Sequence, residues 1–318
     1  RNACADGGVQ ISFERLRSGE VDQHLAAIGK AGDILALVDR ACQRVLAALD
    51  SRSDGLPHAP VAPDDSDCCH CPRALPVFDG CMADIRNIVI LTGAGISAES
   101  GIDTFRDAGG LWERHRIEDV ATPEAFARNP ALVQGFYDAR RAALETVEPN
   151  AAHDALARLD ARWPDDETHG LLIVTQNVDD LHERAGANRV LHMHGRLRSA
   201  LCAACGARTE WHGPLTNAPP CEVCGVSALR PDIVWFGEMP YEMERVYAAL
   251  AKADLFVSIG TSGAVYPAAG FVQEAAAYGA RTLELNLERS EGSHWFDESR
   301  QGRAGELVPA WVDELLSG

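Results

Sequence analysis

Five short aliphatic runs, separated by stretches of helical length, constrain this chain more than any other feature. They are NIVILT from Asn87, LLIVTQN from Leu171, RVLHMHG from Arg189, DLFVSIGTS from Asp254 and RTLELNLE from Arg281. Most are apolar at consecutive positions rather than at alternate ones. A strand of that kind is buried on both faces, which is the condition of a parallel sheet covered by helices. Between the runs, Pro123 to Val147 and Ala151 to Arg162 read as helices. The expected class is α/β, a Rossmann-like parallel sheet with helices on both faces. Ligands of such sheets bind beyond the carboxyl ends of the strands, where several of these runs finish in polar or glycine residues.

The rest of the chain has a different texture. From Asp33 to Leu49 apolar residues recur at helical spacing, and SRSDGLPHAPVAPDDSD then reads as a linker. The CCHC cluster at Cys68–Cys71 is too tightly spaced for a usual zinc site. The functional domain is expected to span 82–318, beginning at Met82, with residues 1–81 as an extension of unassigned role. The formal charge of −18 argues against a general grip on nucleic acid. It suits basic partners such as lysine-rich peptides, and equally a solvated acidic surface. No apolar run reaches membrane-spanning length, so the expected location is cytoplasmic, without a membrane partner. Nothing in the residues speaks to oligomeric state.

Several strand ends carry candidate chemistry. Gly93-Ala94-Gly95-Ile96-Ser97-Ala98 fits G-x-G-x-x-A after a strand. Such residues admit a pyrophosphate at a helix N-terminus, although a tight strand-to-helix turn needs the same glycines. The following Gly101–Asp107 and Gly109–Trp112 suit a cover over a cofactor. Gln176, Asn177 and Asp179 offer amides and a carboxylate for ribose hydroxyls or a carboxamide, or else cap a helix. His192 and His194 flank Met193. A histidine before glycine can be a general base, a satisfied polar group or, as a pair, a metal ligand. Cys202-x-x-Cys205 and Cys221-x-x-Cys224, fifteen residues apart, match a four-thiolate zinc ribbon. A redox pair or unligated thiols are the alternatives.

Taken together and in order, GAGISAESGIDTFR, TQNVDDLH, HMHG, the paired C-x-x-C, GTS and NLE closely resemble the sirtuins, NAD-dependent protein-lysine deacylases. The resemblance runs from Met82 to about Ser317, and HMHG is similar to bacterial members. One departure is Asp103, where many sirtuins have proline; activity with altered loop stiffness is expected. The resemblance implies a consumed NAD co-substrate and one structural Zn2+ in an inserted module at about 196–236. It implies NAD contacts from Gly93, Ala94, Gly95, Ala98, Glu99, Phe105, Arg106, Gln176, Asn177 and Asp179. Gly260, Thr261, Ser262, Asn286, Glu288 and Ala304 complete the implied NAD site, and His194 is the implied base. Val234, Phe236 and Gly237 resemble the segment that pairs with an acyl-lysine protein or peptide. FYDARR resembles the subgroup that accepts succinyl- and malonyl-lysine, with Tyr137 and Arg140 at the acyl pocket and Arg141 pointing elsewhere as a neutral control. Helix spacing alone favours a surface arginine with Tyr137 packed beneath it. A protein ADP-ribosyltransferase and a non-catalytic NAD sensor are the competing functions on the same fold.

Overall fold

The computed structural model describes residues 85–104 and 116–317. The expected extension 1–81, the start at Met82, and Phe105, Arg106 and Gly109–Trp112 of the cover lie outside the described residues. Nine strands are described: β1 (Asn87–Thr92), β2 (Gly170–Thr175), β3 (Val190–His192), β4 (Gly195–Cys202), β5 (Arg208–Glu210), β6 (Leu229–Ile233), β7 (Leu255–Ile259), β8 (Arg281–Asn286) and β9 (Glu298–Gln301). Eight described helices accompany them: α1 (Ile117–Val120), α2 (Pro123–Arg128), α3 (Pro130–Ala143), α4 (Ala151–Arg162), α5 (Leu181–Arg184), α6 (Met243–Leu250), α7 (Phe271–Ala277) and α8 (Ala304–Ser317).

Six strands form one sheet in the order β3-β2-β1-β7-β8-β9, and every pairing is parallel. Its central strands bury both faces. Ile88, Ile90, Ile173, Val257 and Leu283 pack with Leu156 and Leu159 of α4 and Trp311 and Val312 of α8. Val89, Leu91, Val174 and Phe256 face the other way, against Leu250 of α6 and Phe271 and Val272 of α7. Each such side chain, fully buried, contributes about 1.5–3 kcal/mol, which is why consecutive aliphatic residues specify this layer. The remaining strands form an antiparallel sheet, β5-β4-β6, inserted between β3 and α6.

Three details depart from the sequence expectation. The helix expected from Pro123 to Val147 divides at Asn129 into α2 and α3. Pro130 lacks the N–H that a continuing helix requires, and the Asn129 side chain instead accepts from the Leu132 N–H at 3.2 Å. The run from Arg189 supplies only three residues of strand. The sixth strand, ESRQ, was not expected, because an edge strand that is only partly buried has no aliphatic signature. The described ion pairs are made by arginine and histidine. Lysine is scarce: the chain has two, Lys30 and Lys252, and Lys252 is exposed beyond the end of α6.

Candidate active site

The chain leaves β1 for β2 and β3, then crosses back to restart at β7 on the other side of β1. The crevice of the sheet therefore opens between β1 and β7. Two loops meet there main chain to main chain. The Gly93 N–H donates to the Ile259 carbonyl at 3.0 Å and the Gly95 N–H to the Gly260 carbonyl at 2.9 Å. A Cβ on Gly93 would stand 2.8 Å from the Gly260 oxygen, and one on Gly95 2.7 Å from its Cα. Gly260 itself has φ 62°, a left-handed conformation. The glycines thus join the two loops main chain to main chain. No α-helix follows directly; two 3-10 turns, Ala94–Ile96 and Ala98–Ser100, stand in its place.

Beyond β1, β2 and β3 a polar group is assembled. The Asn177 N–H donates to Thr175 Oγ1 at 3.0 Å and its Nδ2 to Ser97 Oγ at 3.0 Å. Ser97 Oγ donates to Asp179 Oδ2 at 3.1 Å. Burial pushes the Asp179 carboxyl up, opposed by bonds from the Leu181 N–H and Ser97. His194 Nδ1 lies 3.2 Å from the Gln176 carbonyl, a contact that requires the proton on Nδ1. Nε2 is then left with its lone pair, as a base requires. Burial lowers the His194 pKa, and the Gln176 bond only partly offsets this. Ser97 sits in the opening motif but was not singled out. His153 and His182 were missed too. Both are buried, their rings 5.0 Å apart, and burial lowers His153 to about 4. His182 closes the TQNVDDLH stretch without a role assigned to it there, His153 lies outside the motifs, and the burial of both is recognised only by their contacts.

The four cysteines gather at one end of the small sheet. Cys202 and Cys224 Sγ are 3.7 Å apart, and Cys205 and Cys221 Sγ 3.8 Å. Zn–S bonds of about 2.3 Å in a tetrahedron place sulfurs about 3.8 Å apart. Both knuckles are built alike. Gly206 and Gly225 take φ 75° and 74°, and each donates its N–H at 2.8 Å to the carbonyl of the first cysteine of its pair. The N–H groups of Cys205 and Ala204 aim at the Cys202 sulfur and lower its pKa to about 7. Among the described residues this is the one cluster with metal-ligand geometry, and His192 and His194 are not part of it.

The Sir2 family model matches residues 93–267. A relative from Bdellovibrio bacteriovorus, named NAD-dependent protein deacylase, is 58% identical over 234 residues, covering 73% of this chain and 97% of that one. One of the same name from Salmonella typhimurium is 54% identical over 240 residues, covering 74% and 86%. The chain belongs to the Sir2 family. A solved Sir2 homologue–NAD complex matches with TM-score 0.66 and 39% identity, over 74% of this chain and 91% of that one. NAD is the cofactor of this sirtuin, and the buried amide and carboxylate at the switch point fit it. The cysteine geometry fits one structural zinc ion.

In the sirtuin fold the other expected residues fall into two groups. Thr261 and Asn286 are joined at the crevice, Asn286 Nδ2 donating to the Thr261 carbonyl at 2.7 Å. Ser262 lies beside them, and its Oγ accepts from the Ala264 N–H. Glu288 is exposed, away from these bonds. Glu99 reaches across to α8, where its Oε1 accepts from the Gly305 N–H at 2.8 Å beside Ala304. A carboxylate at a helix start complements the orphan N–H groups there. Ala94 and Ala98 open the two 3-10 turns that follow β1.

Tyr137 and Arg140 share one face of α3. Tyr137 is buried, and its hydroxyl accepts from Trp235 Nε1 at 3.1 Å. The phenolic proton is not used in that bond, and burial keeps it on the oxygen by pushing the pKa up to about 12. Arg140 is half-buried with its guanidinium 5.8 Å from the Phe136 ring, and no ion pair to it forms among the described residues. Burial lowers its pKa, while Tyr137 and Asp179 raise it. Arg141 does point elsewhere, but it is no neutral surface residue. It is 1% exposed, donating through Nε to the Leu197 carbonyl at 2.6 Å and through Nη1 to Asp138 at 2.7 Å. The i,i+3 spacing could not show that this arginine joins α3 to β4. Trp235 also anchors the expected peptide segment. Arg230 stacks on its ring at 3.6 Å and pairs with Glu238, whose Oε2 accepts the Trp235 N–H. Val234 hydrogen-bonds to the His194 carbonyl, Phe236 is 49% exposed, and Gly237 at φ 92° turns the chain.

Proposed function

We propose that this sirtuin is an NAD-dependent protein-lysine deacylase that removes acetyl and acidic acyl groups, succinyl and malonyl, from proteins or peptides. The observation that carries it is His194. A ring held by Nδ1 on the Gln176 main-chain carbonyl, which leaves Nε2 unprotonated, is a positioned general base. NAD, when bound, supplies the ribosyl carbon that accepts the acyl oxygen, so that nicotinamide and O-acyl-ADP-ribose are the products. His194 takes the proton of a ribose hydroxyl. Asn177 and Asp179, with Gln176, orient the nicotinamide end. Gly260 to Ser262, Asn286, Glu288 and Ala304 serve the adenosine side, and Ala94, Gly95, Ala98 and Glu99 line the loop between. The zinc does no chemistry, since four thiolates close its coordination sphere. Val234, Phe236 and Gly237 receive an extended substrate chain. Incubation of an acyl-lysine peptide with NAD, followed by mass spectrometry, tests the reading. Peptide mass loss with O-acyl-ADP-ribose is expected. A mass gain on protein would instead show ADP-ribose transfer, and neither change would leave a sensor.

The acidic-acyl part rests on Tyr137 and Arg140. A half-buried guanidinium without a described ion pair, next to a phenol whose proton is not used in the Trp235 bond, suits a carboxylate at the end of an acyl chain. Such a charge-assisted contact is worth ~1.5–3 kcal/mol, roughly one to two decades of selectivity. Arg140→Met should therefore raise the Michaelis constant for a succinyl peptide by that factor while sparing deacetylation. Equal loss of both activities would remove the assignment.

A further inference from the structure

His192 is left over from this account. It is neither a metal ligand nor the base, yet both its ring nitrogens are engaged. Nδ1 lies 3.1 Å from the Asn177 carbonyl and Nε2 2.7 Å from Glu183 Oε1. The ring is nearly buried, with 6% of the side chain exposed. Two residues along, His194 makes the equivalent contact with the preceding carbonyl, that of Gln176. The two histidines therefore hold consecutive peptide planes. The plane before Asn177 is held by His194 at its oxygen and by Thr175 Oγ1 at its N–H. The plane after Asn177 is held by His192. With both flanking planes fixed, φ and ψ of Asn177 are fixed, because these are the only soft main-chain dihedrals of a residue. Ser97 then completes the aim of its amide.

We propose that His192, braced by Glu183, is a positioning residue of the NAD site: it sets the main chain of Asn177 and so the angle at which that amide meets the nicotinamide end of the cofactor. The proposal rests on the deacylase reading of the same site. Its chemistry is that of a donor at one point in space, the Nδ1 position, backed by an acceptor that fixes the ring. Glu183 answers to that role: burial alone would raise its pKa, but the bond and charge of His192 hold it below the usual carboxylate range.

Side-chain geometry supplies a sharp test. Asparagine places its Nδ2 close to where histidine holds Nδ1, glutamine reaches only the Nε2 position, and leucine matches asparagine in shape without a donor. His192→Leu and His192→Gln are expected to lower kcat/KM for NAD by roughly tenfold, as a small misalignment of a reacting group does. The Michaelis constant for the peptide should stay within about twofold, since Val234–Gly237 are untouched. His192→Asn should recover most of the loss. Calorimetric titration of NAD into the same three variants reads the effect without turnover. If the parent binds NAD but deacylates nothing, the function is wrong, while the ranking of the three affinities still decides this proposal. Equal values in all three variants, or a loss that follows only the unfolding temperature and is not rescued by asparagine, would overturn it.

Discussion

A single ring orientation carries most of the catalytic reading. His194 can act as a base because the Gln176 carbonyl selects one tautomer, and because burial favours the neutral ring. The sign of that shift has a measurable consequence. The active form is neutral, and a lowered pKa keeps it neutral to lower pH. The acidic limb of kcat/KM should therefore have its midpoint below the usual 6.5 of histidine, activity falling as pH drops through it. His194→Tyr should abolish deacylation while zinc content and fold persist, as read by metal analysis and circular dichroism. The residue lies between β3 and β4, outside the cysteine cluster. Near-normal turnover in that variant would mean that another group takes the proton.

Among the elements, α3 has the most divided task. One face presents Tyr137 and Arg140, and the other is tied to the zinc module. Asp138 accepts from the N–H groups of Leu215 and Thr216 at 2.9 and 3.0 Å as well as from Arg141, and Gln134 donates to the Leu229 carbonyl. Arg141→Met leaves Asp138 without its cation and the Leu197 carbonyl without a donor. It should cost on the order of 3 kcal/mol of stability, seen as a lowered denaturation midpoint, with both acyl activities reduced together. Asp138→Ala should behave alike. The contrast with Arg140→Met then separates a selectivity residue from a structural one. This division was not legible in FYDARR, because helical spacing groups residues by face without saying what each face meets. The zinc ligands were legible, since C-x-x-C-G imposes its own turn. The α2–α3 break carries its own signal in Asn129-Pro130, although the stretch from Pro123 to Val147 reads as one helix.

Across the molecule, the parallel sheet could be read because its central strands are aliphatic on both faces, which few other environments demand. Strand β9 could not, since Glu298–Gln301 lie at an edge and their partners are arginine and carboxylate side chains. The motif glycines mark the crevice in the sequence, but that Gly93, Gly95 and Gly260 also join two loops by main-chain contact is an interaction that spacing cannot encode. A buried group such as His153 belongs to none of these motifs, and His182, inside TQNVDDLH, shows its burial only in the fold.

The preference for arginine over lysine in the described ion pairs has a chemical corollary. Unprotonated amines attack the acyl carbon of anhydrides and thioesters, expelling carboxylate or thiolate, whereas a guanidinium stays protonated and does not. A deacylase built with lysine ion pairs would be eroded by the same donors that create its substrates. Here Lys252 is the only lysine side chain among the described residues, exposed and outside the described ion pairs. Treatment with succinic anhydride should therefore modify few sites and leave the unfolding temperature and turnover nearly unchanged, whereas a lysine-rich relative under the same treatment should lose both. In that sense the enzyme is chemically inert towards its own trade.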